Sequence, residues 1–337
     1  MLHGHGDDGY QFTQPVTADF STNVWYGGEP AGLKEYLFHR WTSINRYPEV
    51  IAGSLAQQAA DHHQLRAEQV LINSGTTESI YLIAQAFAGR KTTIVVPAFA
   101  EYEDACRMHN HQLLFLDWGQ LADLPALTTD LVFICNPNNP TGALFAQVAS
   151  WIARNPQTIF VVDEAFIEFT RCSPSLIPSL DHHANLIIMR SLTKTYAIPG
   201  LRLGYVVSSP TMIARLKTWK QPWTVNALAL EAGRFIFEQY AHSHPPMKAL
   251  LEDAAVFRND LHHLEGLRVH DSQTHFFLVE TQRGTAAELK QFLMTNFGFL
   301  IRDASNFRGL GAGHFRLATL LPEKNKVLIN ALAGWKN

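Results

Sequence analysis

The chain has 337 residues, of which 47% are hydrophobic and 17% charged, and its formal net charge at pH 7 is −3. This length is sufficient for two packed layers or two domains, and the weak negative charge argues against nucleic acid as a partner. The longest apolar runs, such as TTIVVPAFA (92–100), are far shorter than the roughly 20 residues of a membrane span.

The N-terminus, the cysteines and the histidines favour a cytoplasmic protein without a metal. The opening MLHGHGDDGYQF (1–12) has no charged region followed by an apolar one, so we predict no signal peptide. The three cysteines are scattered without CxxC spacing, which is typical of reduced thiols. Histidine doublets point in different directions from a helix and HExxH is absent, so we expect solvent-facing histidines and no metal site.

From about residue 70 the chain alternates apolar runs with helical stretches. Strands, some with their following turns, are predicted at 69–75, 92–97, 112–117, 130–137, 158–166, 185–191 and 201–209. Helices are predicted at 76–89 and near 100–110 and 144–154. Because the strand runs are apolar on both faces, we expect an α/β fold in which helices cover a mainly parallel sheet.

After about residue 210 the pattern changes. Helical stretches dominate 211–263, and an alternating run at 267–281 is typical of a half-exposed strand or hairpin. A helix near 285–297 and a short strand at 314–319 follow. This order predicts a smaller α+β domain, and we place the boundary near 220–228, in a helix that proline bends.

Two glycine-containing loops follow predicted strands, where ligands of α/β folds collect. SGTTES (74–79) leads into a helix, and its free backbone N–H groups would suit a phosphate, although a plain capping turn has the same pattern. NPNNPTG (136–142) places Asn139 just beyond an apolar strand, where its amide could donate into a site. The alternative for this second loop is an ordinary turn.

Two charged residues lie in equally apolar surroundings. Asp163, in VVDEAF (161–166), follows a buried strand, and a buried carboxylate is costly unless it meets a cation or donors. Lys194, in RSLTKTYAIPGLRLGY (190–205), should have a lowered pKa because desolvation disfavours ammonium, and such an amine can form a Schiff base. The alternatives are a helix-capping aspartate and a surface lysine.

Together these features match the needs of pyridoxal 5'-phosphate, which requires an amine for its aldehyde, a carboxylate for its ring nitrogen, a donor for its phenolic oxygen and a phosphate cup. Lys194, Asp163 and Asn139 meet the first three needs. The phosphate cup is predicted from Gly75, Thr76, Thr77, Ser191, Thr193 and Arg202.

The order of NPNNPTG, VVDEAF and SLTKTYAIPGLRLGY resembles the fold-type I pyridoxal-phosphate enzymes of the class I/II aminotransferase superfamily. The resemblance implies a three-layer large domain with a mainly parallel sheet at 41–222. It also implies a smaller α+β domain, formed by 223–337 with residues 1–40, which include an N-terminal lid. Members are usually homodimers with shared active sites, so a homodimer is expected.

The resemblance also implies roles for individual residues. Tyr102 should stack on the cofactor ring, and Tyr47 should reach the cofactor phosphate of the neighbouring subunit. Arg302 and Arg316 match arginines that bind the substrate's phosphate and carboxylate through bidentate hydrogen bonds. The segments LHGHGDD (2–8) and STNVWYGGEP (21–30) depart from the usual pattern, and they supply His3 and Asn23 as expected substrate contacts.

Two branches of the superfamily fit the motifs. The segments TKTYAIPGLRLGY (193–205) and QPWTVNALA (221–229) resemble threonine-phosphate decarboxylases of cobalamin biosynthesis, and Phe166 stands where aminotransferases commonly have tyrosine. We therefore expect decarboxylation of L-threonine O-3-phosphate to aminopropanol phosphate. The alternative is a 2-oxoglutarate-dependent aminotransferase for histidinol phosphate or another amino acid, because the orientation of the substrate's carboxylate decides which bond breaks.

A distant alternative comes from another class of enzyme. Ser191 to Lys194 also spell S-x-x-K, the nucleophile motif of penicillin-recognising serine acyl enzymes. Those proteins also need K-T-G, and each K-T pair here is followed by another residue. A pyridoxal-binding regulator without enzymatic activity is a further alternative.

Overall fold

The computed structural model describes residues 6–240 and 245–335. Its strands are β1 (Ala18–Asp19), β2 (Val70–Asn73), β3 (Lys91–Val96), β4 (Gln112–Asp117), β5 (Leu131–Cys135), β6 (Ile159–Asp163), β7 (Leu186–Ser191), β8 (Gly204–Ser208), β9 (Leu267–Val269), β10 (Phe276–Thr281), β11 (Phe299–Leu300), β12 (Arg302–Asp303) and β13 (His314–Ala318). Its α-helices are α1 (Leu33–His39), α2 (Gly53–His62), α3 (Gly75–Ala86), α4 (Glu101–Met108), α5 (Val148–Arg154), α6 (Pro210–Lys217), α7 (Ala227–Phe235), α8 (Met247–His262), α9 (Ala286–Phe297) and α10 (Pro322–Ala333).

The larger sheet has seven strands in the order β2-β8-β7-β6-β5-β3-β4 within the described residues. β8 runs antiparallel to both of its neighbours, whereas the contacts among β3 to β7 are all parallel. The predicted mainly parallel α/β sheet is therefore confirmed. Since parallel strands end at one edge of a sheet, β5, β6 and β7 deliver Cys135, Asp163 and Ser191 to neighbouring positions.

The inner strands of this sheet form because their residues are apolar on both faces, whereas the edge strand β4 is mostly exposed. Every residue of β5, β7 and β8 is buried. One hydrophobic core lies on each side of the sheet, the first around Trp151 and the second around Phe133. Such two-sided burial is what near-continuous runs of Val, Ile, Leu and Phe predict.

A four-stranded antiparallel sheet, in the order β12-β13-β10-β9, follows later in the chain. Its core contains Phe257, Leu289 and Leu328, from α8, α9 and α10. β1 pairs with β11, so the N-terminal segment returns to this part of the molecule. α9 begins with a Thr285–Glu288 capping box and ends at Gly298, whose φ of +70° favours glycine.

The packing of the segments between the two sheets differs from what the predicted domain boundary implies. The segment 220–226 is a loop and not a bent helix. α7 packs on α2, where a Cβ at Gly233 would come within 2.6 Å of the Leu55 side chain. Leu33 of α1 belongs to the same core. The division into 41–222 and 1–40 with 223–337 stays a prediction, and this packing favours a boundary after residue 240.

None of the helices in residues 6–240 and 245–335 combines the length and apolar character that crossing a bilayer requires.

Candidate active site

A cavity of about 410 Å³ lies at the carboxyl ends of β5, β6 and β7. Eleven of the residues predicted from the sequence line it, namely Asn23, Thr76, Thr77, Tyr102, Asn139, Asp163, Thr193, Lys194, Arg202, Arg302 and Arg316. Gly75 immediately precedes the lining threonines, and the Ser191 Oγ lies 2.8 Å from the Thr193 Oγ1. The fold thus brings together residues that are as much as 293 positions apart in the chain.

The first wall of the cavity has the properties of an anion cradle. Gly75 begins α3 with a φ of +76°, and a Cβ there would come within 2.7 Å of the Arg202 guanidinium. Only glycine allows this approach without strain. The helix start, the Thr76 and Thr77 residues and the guanidinium therefore face one space, which suits a phosphate.

Lys194 lies in the turn after β7, with its side chain lining the cavity. Burial, together with the charges of Arg316 and Arg202, lowers the pKa of this amine to about 8, against the opposing effect of Asp7 and Asp163. The Lys194 carbonyl accepts a hydrogen bond from the Trp25 N–H at 2.9 Å. The predicted lowering of the lysine pKa is thus present in the structure.

Asp163 is the last residue of β6 and is only 4% exposed. Each of its two carboxylate oxygens accepts a hydrogen bond. The Tyr102 hydroxyl donates to Oδ2 at 2.6 Å, and the Ala165 N–H donates to Oδ1 at 2.9 Å. Desolvation raises the pKa of Asp163, while these two hydrogen bonds and the charge of Lys194 oppose the rise. The carboxylate is therefore fixed in position in the cavity that Lys194 also lines.

Asn139 is oriented by an arginine from the other sheet. Arg316 Nη1 donates to the Asn139 Oδ1 at 2.5 Å, and Arg316 Nη2 donates to the Ser21 carbonyl. Because the Asn139 amide oxygen accepts a hydrogen bond from the Arg316 guanidinium, the Asn139 NH₂ group is available to donate into the cavity. Burial, together with the charge of Arg302, lowers the pKa of Arg316 to about 9, so it stays protonated at neutral pH.

Arg302 and Arg316 are direct cross-strand neighbours on β12 and β13. Arg302 Nη2 donates to the Asn306 Oδ1 at 2.9 Å, and its guanidinium lies 5.0 Å from the Phe307 ring centroid. Both arginines are at most 6% exposed, although they carry like charges. Two desolvated cations side by side favour an anion between or beside them.

The N-terminal segment closes one side of the cavity. Asn23 is 2% exposed, and neither its amide nitrogen nor its oxygen has a hydrogen-bond partner among the described residues. Buried polar atoms without partners are rare, so Asn23 is suited to a ligand that would satisfy them. Asp7 and Asp19 also line the cavity, which balances part of the positive charge of the arginines.

Two predicted residues lie elsewhere. Tyr47 is 85% exposed and packs against Trp223, with ring centroids 5.3 Å apart, so it does not reach the cavity of its own chain. Its predicted contact with a neighbouring subunit stays a prediction. His3 lies outside the described residues. The Tyr102 ring stacks on Phe133 with centroids 5.3 Å apart, and its predicted stacking on a cofactor likewise stays a prediction.

Three side chains near the site were not found from the sequence. Asp7 and Asp19 lie in the N-terminal segment, where the sequence has no periodic pattern that indicates a return to the sheet. His275, immediately before β10, is fully buried, and burial together with the charges of Arg316 and Lys194 lowers its pKa to about 3. The His275 ring is therefore neutral. A single histidine in the segment THFF has no sequence pattern that would indicate a place near the active site.

A larger cavity of about 1200 Å³ adjoins β7 but lacks this chemistry. Its buried arginine is already paired, since the Arg190 guanidinium lies 3.3 Å from Glu164 and also contacts Glu168. Glu164 further accepts the Leu176 N–H at 2.7 Å, so it braces a loop and does not face a ligand. We place the active site at the smaller cavity, which both Lys194 and Asp163 line.

Comparisons with known proteins agree with this geometry. The family described as aminotransferase class I and II matches residues 28–332. A threonine-phosphate decarboxylase of Salmonella typhimurium is 36% identical, over 93% of this chain and 90% of the relative. A histidinol-phosphate aminotransferase of Desulfitobacterium hafniense is 30% identical, over 90% and 87%. The crystal structure of an L-threonine-O-3-phosphate decarboxylase from Porphyromonas gingivalis superimposes with a TM-score of 0.91 at 37% identity, over 94% of this chain and 98% of that one.

Proposed function

Because the chain belongs to the aminotransferase class I and II family, we propose that it decarboxylates L-threonine O-3-phosphate to aminopropanol phosphate. The protein is a pyridoxal-phosphate-dependent enzyme, and its fold is that of the fold-type I enzymes. Its likeness to relatives named threonine-phosphate decarboxylase supports the choice of reaction. A role in cobalamin biosynthesis and a cytoplasmic location are parts of the same proposal.

The residues of the cavity fit pyridoxal 5'-phosphate. The cradle at Gly75, which a Cβ would fill, leaves room for a phosphate beside Arg202. Asp163 offers a buried carboxylate to the ring nitrogen, Asn139 offers an amide NH₂ group to the phenolic oxygen, and Lys194 offers the amine. When bound, the cofactor supplies an electron sink for a bond broken at the substrate's α-carbon.

The chain's own residues would then act through position and charge. Asp163 holds a proton at the ring nitrogen because its two hydrogen bonds fix the carboxylate. Lys194, whose pKa is about 8, can accept or return a proton near neutral pH. Phe166 lines the cavity but has no donor, so Asn139 alone of this pair can hydrogen-bond the phenolic oxygen.

The arginine pair is the observation that carries the choice of substrate class. A substrate with both a phosphate and a carboxylate needs two cationic positions, and Arg302 and Arg316 provide them on neighbouring strands. Asn23, with two buried polar atoms lacking partners in the described structure, adds a donor and an acceptor beside them. This arrangement supports a compact amino acid with two anionic groups.

The test is an assay on two substrates. The holoenzyme is incubated with O-phospho-threonine, and CO₂ and aminopropanol phosphate are measured. It is incubated separately with histidinol phosphate and 2-oxoglutarate, and glutamate is measured. We expect CO₂ from the first reaction and little glutamate from the second. Glutamate without CO₂ would establish the aminotransferase alternative, which the 30% identity to a histidinol-phosphate aminotransferase makes the second candidate.

The serine acyl enzyme is not supported. The Ser191 Oγ shares a hydrogen bond with the Thr193 Oγ1, and the family to which the chain belongs uses pyridoxal phosphate. We expect the purified protein to be yellow and to resist acylation at Ser191 by a β-lactam.

Arg316→Ala is expected to lower kcat/KM by about 10-fold to 10²-fold, the loss that accompanies removal of one or two hydrogen bonds from a charged group. KM should rise because an anion contact is lost. Since Arg316 also orients the Asn139 amide, kcat should fall as well. Steady-state kinetics with O-phospho-threonine measure both, and Arg283→Ala, a surface arginine near Glu265, is the matched control. Unchanged kinetics would remove Arg316 from the site.

We propose that the protein is a homodimer formed through an apolar patch. The patch consists of Phe38, Trp41, Ile44, Tyr47, Val50, Ile51 and Trp223, each at least 40% exposed. Within it the rings of Phe38 and Trp41 are stacked, and Tyr47 contacts Trp223. Exposed apolar side chains clustered in this way are typical of an interface. It would also place Tyr47 where it could reach the cavity of the second subunit.

Trp41→Glu is expected to weaken dimer association by about 30-fold or more, because aromatic residues near the centre of an interface commonly contribute 2 kcal/mol or more. Sedimentation velocity of the holoenzyme should show the dimer for the wild type and a shift toward monomer for the variant. Val256→Glu, at a position 60% exposed on α8, is the matched control and should leave the dimer intact. A wild-type monomer would contradict the proposal.

A further inference from the structure

Three side chains suited to metal ligation share one face of the four-stranded sheet. Glu280 of β10 is directly opposite His314 of β13. The His270 N–H donates to the Leu278 carbonyl at 2.9 Å, which continues the β9–β10 ladder by one residue. Because positions two apart on a strand share a face, as do residues directly opposite each other, all three side chains project from the same side.

The three side chains converge. One potential ligand atom from each of His270, Glu280 and His314 lies within 4.8 Å of the other two, and all three residues are half-buried. In a tetrahedral zinc site with bonds of about 2.0–2.1 Å, neighbouring ligand atoms are roughly 3.4 Å apart. Small side-chain rotations would have to close this difference, while strand pairing holds the backbone in place.

The hydrogen bonds around the histidines leave ligand atoms available. The His270 Nε2 is buried and has no partner among the described residues. The His314 Nδ1 lies 3.0 Å from the Gly311 nitrogen and 3.2 Å from the Gly311 carbonyl oxygen, and the tautomer protonated at Nδ1 would donate to this carbonyl and leave Nε2 free. A histidine that donates its second ring N–H to a backbone carbonyl is the usual arrangement around a bound metal.

We propose that His270, Glu280 and His314 bind a divalent cation of the zinc class. Two imidazoles and one carboxylate are ligands that zinc prefers, and water would complete the coordination. The histidine doublets of the sequence contribute nothing to this site. Its ligands, which are as much as 44 positions apart, are brought together only by strand pairing, which is why the sequence did not predict the site.

The position of the site indicates a structural role. The Ala304 N–H donates to the His314 carbonyl at 2.9 Å, and the His314 backbone N–H donates to the Gly311 carbonyl at 3.1 Å. The loop between β12 and β13, which follows Arg302, is therefore attached at both ends to His314. A cation bound there would stiffen the loop beside the arginine pair without touching the cavity.

One residue opposes binding and provides a test of its own. Arg268 is also opposite Glu280, and its Nη1 lies 3.9 Å from the Glu280 Oε2. This guanidinium competes with a cation for the carboxylate. Removing its charge should therefore tighten binding while leaving all three proposed ligands in place.

The experiment is a calorimetric titration of Zn²⁺ into chelator-treated holoenzyme. We expect one Zn²⁺ per chain, at least about tenfold weaker binding in His270→Gln and in His314→Gln, and unchanged binding in His262→Gln, an exposed histidine on α8. Arg268→Gln should bind more tightly than the wild type.

Two kinds of result would overturn the proposal. The first is an absence of Zn²⁺ binding to the wild type, or equal binding by the variant that carries both His270→Gln and His314→Gln. The second is unchanged or weaker binding by Arg268→Gln, which decides the question even if the histidine variants fail to fold. Circular dichroism and Tm measurements accompany each variant. None of these readouts depends on which reaction the enzyme catalyses.

Discussion

Lys194→Ala is expected to reduce turnover by at least about 10²-fold to 10⁴-fold, the range that a single general acid–base group commonly contributes. It should also abolish covalent attachment of the cofactor. Lys194 is the amine that lines the cavity beside Asp163, and no other lysine lines it within the described residues. Removal therefore leaves neither a nucleophile for the aldehyde nor a group to move the substrate's proton.

The lowered pKa of Lys194 adds a prediction about pH. At pH 7 a pKa of about 8 leaves about one tenth of the amine neutral, whereas an ordinary lysine near 10.4 is neutral in fewer than about one molecule in a thousand. Since only the neutral amine attacks an aldehyde, capture of cofactor by the apoenzyme should accelerate about tenfold per pH unit below 8 and level off above it. A rate that continues to rise up to pH 10 would contradict the lowered pKa.

Two measurements check the substitution itself. Borohydride reduction followed by peptide mass spectrometry should locate cofactor on Lys194 in the wild type and on no peptide of Lys194→Ala. Decarboxylation of O-phospho-threonine gives the turnover. Lys248→Ala removes a surface lysine 3.9 Å from Glu252, and it should behave as the wild type in both assays. Cofactor still fixed at its usual stoichiometry in Lys194→Ala would exclude Lys194 as the attachment point.

The centre of the site could be predicted because its residues directly follow apolar strands. Asp163 ends β6, Asn139 follows β5, and Lys194 follows β7, so hydrophobic patterning located both the strands and their polar ends. The fold class, the cofactor and the family are confirmed by the comparisons. The individual roles of these residues remain predictions that the experiments here address.

The parts that could not be predicted depend on contacts between distant segments. Nothing in the apolar run at 204–208 indicates that β8 is antiparallel, since both orientations bury both faces. Asp7 and Asp19 reach the cavity only because β1 pairs with β11, about 280 residues later. The bent helix predicted near 220–228 is a loop, because proline there ends the helical pattern.

Asp163→Asn is expected to lower kcat by about 10²-fold to 10³-fold, with little change in KM, the loss typical of removing one preorganised charged contact. The substitution keeps the shape of the side chain but removes its charge. Desolvation raises the pKa of Asp163, and a more basic carboxylate holds a proton shared with the ring nitrogen more firmly. An amide cannot do so, because it has no negative charge to stabilise a protonated ring nitrogen.

Tyr102→Phe separates the charge of the carboxylate from its orientation. It removes the hydroxyl that donates to Asp163 Oδ2 at 2.6 Å but leaves the ring on Phe133 and the Ala165 contact in place. We expect kcat to fall only about tenfold, consistent with loss of a hydrogen bond to a charged group. If Asp163 acted only by orienting its surroundings, the two variants would lose similar activity. Near wild-type kcat in Asp163→Asn would show that the ring nitrogen does not need this carboxylate, and the assignment of the cofactor's orientation in the cavity would be wrong.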